Sequence, residues 1–166
     1  HYMIKSVKPI FVVLVFSSLI SFSFIEKKDP TEKLVPGDKT PMPVLEFEKQ
    51  SLNLRADEGK YTLLSFWAGY DAVSRVKNAE LCHALQNTDR IKMISVSMDR
   101  YESVFRAAVE QDGLESALCC IETDGKSSEI FKEFGLRDGF ANYLIDSDGM
   151  IVAKNVTAEE LVSYMN

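Results

Sequence analysis

After Pro43 the chain contains no proline; all five, Pro9, Pro30, Pro36, Pro41 and Pro43, lie ahead of that point. A cis peptide bond further along would have to precede a non-proline residue, at a cost of about 2.5–4 kcal/mol. Cysteine is scarce too. Cys82, Cys119 and Cys120 are the only three, and no two of them stand as Cys-x-x-Cys. A local dithiol, in which a second thiol one helical turn on resolves a mixed disulfide, is therefore excluded. An odd count leaves at least one thiol unpaired within the chain. Histidine occurs only at His1 and His83, too few for a Ser–His–Asp grouping. Cys82 and His83 are adjacent on a predicted helix and do not face the same way, so no metal site or cofactor is expected. Asp146 and Asp148 flank a turn and lack the later bidentate Glu of a calcium loop. The formal charge is −6 with no basic run, which gives no electrostatic footprint for nucleic acid.

Long apolar runs are missing as well, except at the N-terminus. His1 and Tyr2 precede Met3, which reads as the natural start; Lys5 and Lys8 follow, then an apolar run from Ile10 to Ile25, then Glu26-Lys27-Lys28-Asp29. At 1.5 Å per residue that run spans about 24 Å, short of the ~30 Å hydrocarbon core. Residues 1–25 are expected to be a signal peptide, with an uncleaved N-terminal anchor as the alternative. The chain is thus expected to be exported, periplasmic or extracellular, touching membrane only through this segment. Residues 26–42, rich in proline and scattered charge, read as an extended linker into one domain over 43–166.

What is present within that domain is strand and helix in alternation. Val44–Phe47 and Leu52–Leu54 read as a leading hairpin. Tyr61–Trp67 is apolar almost throughout, as a strand covered on both faces is. A helix is predicted from Asp71 to about Asn87, and a second strand over Ile91–Met98. Tyr101, Val104, Phe105, Ala108 and Val109 repeat at helical spacing, a single apolar stripe closed by Gly113. Leu118–Ile121 is a short strand, on which Cys119 and Cys120 would face opposite ways and not bond each other. Ser127–Phe134 reads as a short helix. Tyr143–Asp146 and Met150–Lys154 flank an Asp148-Gly149 turn, and Thr157-Ala158-Glu159-Glu160 is a capping box opening the last helix.

Two segments carry a family resemblance. Gly59 to Arg75, with Phe66-Trp67-Ala68 followed by Asp71-Ala72-Val73-Ser74-Arg75, resembles the TlpA-like branch of the thioredoxin superfamily around its Cys-x-x-Cys-Arg. Tyr143-Leu144-Ile145-Asp146-Ser147-Asp148-Gly149 is similar to the family's Phe-Leu-Ile-Asp-x-x-Gly. The resemblance covers about residues 41–166. It implies an α/β, thioredoxin-like three-layer fold: a central mixed sheet flanked by helices, with an N-terminal β-hairpin extension.

The resemblance also places Asp71 and Ser74 where active members carry their two cysteines, and Phe140 where they carry a cis-proline. Asp71 is expected to cap the helix that follows. The implied reading is a thioredoxin-fold protein without its dithiol, a non-catalytic binding or accessory protein of the cell envelope. A groove around Trp67, Tyr70, Phe140 and Ala141 would take an extended peptide or an envelope protein. The alternatives are a thiol–disulfide oxidoreductase working through Cys82, Cys119 or Cys120, and an accessory domain without a defined ligand.

Overall fold

The computed structural model describes residues 33–166, so the expected signal peptide or anchor over 1–25 lies outside the described residues. Among the described residues, seven strands and four helices follow in the order β-β-β-α-β-α-β-α-β-β-α. A hairpin of β1 (Glu46–Phe47) and β2 (Gln50–Ser51) stands apart from a five-stranded sheet. That sheet contains β3 (Tyr61–Trp67), β4 (Ile91–Ser97), β5 (Leu118–Ile121), β6 (Asn142–Ile145) and β7 (Ile151–Lys154), in the spatial order β5-β4-β3-β6-β7. β3, β4 and β5 are parallel, β6 is antiparallel to β3, and β7 is antiparallel to β6, so the sheet is mixed.

Burial on both sides explains the near-continuous apolar character of β3. Leu63 and Trp67 face one core, shared with helices α1 (Ala72–Ala84), α2 (Glu102–Asp112) and α4 (Ala158–Met165). Leu64 and Phe66 face the other, covered by the hairpin and by α3 (Glu129–Glu133). Tyr143 closes the second core, its hydroxyl donating 2.6 Å to the Phe134 carbonyl. The layers are helices, sheet, then hairpin and short helix.

Local signals set several boundaries. Gly113 stops α2 in the left-handed conformation, at φ 63°, which a side chain would disfavour. Ser128 caps α3 by accepting from the Phe131 N–H at 3.1 Å. At α4 both halves of the capping box are made, Glu160 N–H to Thr157 Oγ1 and Thr157 N–H to the Glu160 carboxylate. The second hairpin strand lies at Gln50–Ser51, earlier than the expected Leu52–Leu54, because Glu48 and Lys49 make the turn with positive φ.

The segment before residue 43 is not a free linker where it is described. Gly37 N–H donates to the Ile151 carbonyl, Ile151 N–H returns to Asp38, and Thr40 N–H reaches Gly149, at 2.8–2.9 Å. Leu34 is buried in the second core. The folded unit thus begins earlier than residue 43, with an extended segment laid along the β7 edge. No helix among the described residues is long and apolar enough to cross a membrane.

Candidate functional site

The parallel strands β3 and β4 both end at one rim of the sheet, where loops of α/β proteins gather their functional groups. β3 delivers the chain to Ala68-Gly69-Tyr70-Asp71, and α1 starts at Ala72. The turn is held by the Asp71 N–H donating to the Ala68 carbonyl at 3.0 Å.

Ser74 is buried in this turn and both capacities of its hydroxyl are used. It accepts from the Ala68 N–H at 3.3 Å and donates to the Asp71 carbonyl at 3.1 Å. Asp71 departs from expectation. Its backbone occupies the N-cap position, with φ −108° and ψ 97°, yet its side chain makes no capping hydrogen bond. The work of fastening the helix start falls on Ser74 instead. Arg75 completes the segment with a bidentate pair to Asp112, Nε at 2.7 Å and Nη2 at 2.8 Å, which ties the start of α1 to the end of α2. That hydrogen bond raises the arginine pKa further above its already high value.

A second acid, at the end of β4, matters more to the geometry. Asp99 is 2% exposed, and both its carboxylate oxygens accept from the Gly69 N–H, at 2.9 and 2.8 Å. Ser97 Oγ donates to it at 2.7 Å. A carboxylate is thereby placed directly behind the loop that carries Tyr70 and Asp71. Burial, Asp99 and Asp71, in that order, push the Tyr70 phenol above its ordinary pKa, so the ring stays neutral. A Cβ on Gly69 would meet Val104 at 3.1 Å and Asp99 at 3.2 Å, so any larger residue here requires these two side chains to give by a few tenths of an ångström.

Of the expected groove residues, the structure brings Tyr70, Phe140 and Ala141 together and removes Trp67. The Trp67 ring is fully buried, its Nε1–H donating 2.7 Å to Ser95 Oγ, which in turn donates to Asn78 Oδ1 at 2.9 Å. It is a core residue, since a buried indole N–H finds its partner inside the protein. Tyr70 is 62% exposed and its ring stands 6.3 Å from that of Phe140. No cis peptide bond occurs among the described residues, so the loop at Phe140 is trans. The Ala141 carbonyl accepts from the Phe66 N–H at 3.0 Å and extends the β3–β6 pairing.

Sequence periodicity also missed the far wall. Tyr101 and Val104, read as part of the inward stripe of α2, are 65% and 43% exposed. Phe105, Ala108 and Val109 alone turn to the core. Tyr101 and Val104 instead line an open groove of about 600 Å³ with Tyr70, Asp99 and Lys126. Phe140, Ala141, Ser65 and Ser74 line a separate, smaller cleft of about 130 Å³.

None of the three cysteines lines either of these two clefts. Cys82 and Cys120 are buried, Cys119 half-buried, and none is in a disulfide. Burial and the neighbouring Cys82 push the Cys119 thiol up to about 12, and burial pushes Cys120 to about 11. No group of three or more His, Cys, Asp or Glu side chains that could hold a metal ion occurs among the described residues.

A mixed sheet with this strand order, and a helix rising from the end of its central parallel strand, define a thioredoxin-like protein. Among solved structures, a thioredoxin-like protein from Parabacteroides distasonis is 40% identical, covering 80% of this chain and 96% of its own, with a TM-score of 0.71. A thiol–disulfide oxidoreductase from Bacteroides fragilis is 26% identical over 76% of this chain and 96% of that one, at a TM-score of 0.64. The thioredoxin domain of a thiol–disulfide oxidoreductase from Bacteroides vulgatus is 21% identical over 81% of this chain and all of that one, at 0.67, a likeness of fold alone. No protein-family model matches the chain, and comparison with curated proteins gives no match. The chain belongs to the thioredoxin-like family.

Proposed function

We propose that this protein is an exported, non-catalytic member of its family that holds an extended apolar polypeptide segment across the rim of the sheet. The observation that carries the reading is the helix start itself. Asp71 and Ser74 occupy the two thiol positions implied by the family, and Ser74 is engaged in holding the turn. Neither side chain forms an S–S bond. The same rim presents Tyr70, Tyr101, Val104 and Phe140, with two of the aromatics more than half exposed. A few aromatic anchors that become desolvated in pockets on binding carry most of the energy of such an interface. Export rests on the sequence of residues 1–25.

The alternative, an oxidoreductase working through Cys82, Cys119 or Cys120, draws support from the thiol–disulfide relatives. The raised pKa values of Cys119 and Cys120 oppose it, because the thiolate is the nucleophile. Titration with a reduced, S-alkylated insulin B chain, which has no reactive sulfur, tests the binding reading. Saturable binding is expected, and Tyr70→Ala or Phe140→Ala should weaken it roughly tenfold, the cost of a truncated anchor. Absence of binding, or binding unchanged in both variants, would refute the groove.

A further inference from the structure

The three cysteines divide between the two faces of the sheet. Cys119 lies in the core shared with α1, whereas Cys120 lies in the core under α3 and the hairpin. Cys82, on α1, belongs to the first. A framework of contacts brings Cys82 and Cys119 near each other. Asn78, one helical turn before Cys82, touches Ser95 of β4 at 2.9 Å, and Ser95 is paired in register with Cys119 on β5. Cys82 Sγ lies 3.2 Å from Ser116 Oγ, only three residues before Cys119. Cys119 Sγ in turn points at the Leu114 carbonyl at 3.5 Å, back toward the same segment.

We infer that Cys82 and Cys119 form a modification site, an intramolecular disulfide that staples α1 to β5 and leaves Cys120 as the free thiol. Placement decides the pairing, because the sheet itself separates Cys120 from both. A groove of about 260 Å³, lined by Cys82, Ser116, Leu118 and Lys92, supplies the approach from solvent. Ser116 at its edge is exposed.

The co-reactant is a small-molecule disulfide such as oxidised glutathione, because a groove of about 260 Å³ does not admit the disulfide of a folded protein. Cys82 loses its proton and its sulfur attacks one sulfur of that disulfide, expelling the other as a thiolate. Cys119 then loses its proton, attacks Cys82 Sγ in the mixed disulfide and expels the second thiolate. The two protons released end on the two leaving thiols. The protein is oxidised by two electrons and the co-reactant reduced by two. Cys82 lines the groove and Cys119 does not, so Cys82 is the entering thiol; at 1% exposed it is reached when the groove wall opens.

Incubation of the reduced full chain with oxidised glutathione, followed by thiol counting in denaturant and peptide mapping, tests this. The reduced chain holds three thiols. The count should fall to one, with a single peptide pair joining Cys82 to Cys119 and Cys120 recovered alkylated. The oxidised form should melt at a higher temperature than the reduced form, and dithiothreitol should reverse the shift. Cys120→Ser should keep both the bond and the shift, and Cys119→Ser should lose both. Three thiols after oxidation, or a bond that includes Cys120, would overturn the inference. The measurement on the native chain stands even where a variant fails to fold.

Discussion

Asp99→Ala is expected to destabilise the domain by about 2–5 kcal/mol in denaturant melts, while Asp71→Ala changes stability by less than about 0.5 kcal/mol. The contrast follows from what each carboxylate touches. Asp99 accepts the Gly69 N–H with both oxygens and the Ser97 hydroxyl with one of them. Alanine would leave the buried Ser97 hydroxyl and the part-buried Gly69 N–H without this partner, at about 1–3 kcal/mol each, least for the part-buried one. Relief from burying a charge offsets part of this and does not restore the donors. Asp99→Asn retains acceptor capacity behind Gly69 and should fall between alanine and the native chain. Asp71, by comparison, makes no capping bond, so the usual loss of about 1 kcal/mol for an N-cap does not apply. Equal effects of the two alanines would show that the loop is not held from Asp99.

Restoring the two thiols should give a disulfide without giving a good reductase. In Asp71→Cys/Ser74→Cys the first sulfur sits at the N-terminus of α1, where the helix favours a thiolate. The second replaces a hydroxyl that bonds Ala68 and Asp71, so the turn loosens as the dithiol is introduced. Phe140 still stands where the family resemblance implies a cis-proline, its ring 6.3 Å from Tyr70. Misplacing a reacting group by about 1 Å costs on the order of 100-fold in rate. Insulin reduction by the double variant should therefore trail an ordinary thioredoxin by roughly that factor. Adding Phe140→Pro should recover part of it, and it breaks no hydrogen bond, since the Phe140 N–H donates none in the structure. Full activity in the double variant alone would show that Phe140 is not a second, separate loss.

Much of the fold was legible because its signals are local. The strand Leu118–Ile121, the α4 capping box and the glycine stop at Gly113 stand where periodicity and cap chemistry place them. The β1–β2 turn was not legible, as Glu48 and Lys49 adopt positive φ without a glycine or asparagine to announce it. The candidate site was only partly readable, for a reason of geometry. Periodicity says which residues share a helix face, not where the sheet beneath that face ends. α2 overhangs the rim, so the first turn of its stripe, Tyr101 and Val104, looks onto the groove. Trp67 sits on a strand buried on both sides, so its neighbours in sequence at the rim do not make it a rim residue. Asp99 resembles any acid closing a strand. Its position at the C-terminal end of a parallel strand beside the motif was the available signal.

Dithiothreitol-coupled insulin reduction by the native chain tests the central claim most directly. With Asp71 and Ser74 at the helix start, turnover should not exceed the dithiothreitol background, and should be the same in Cys82→Ser and Cys119→Ser. Robust turnover that disappears in either cysteine variant would contradict a non-catalytic role and assign the chain the thiol chemistry of its relatives.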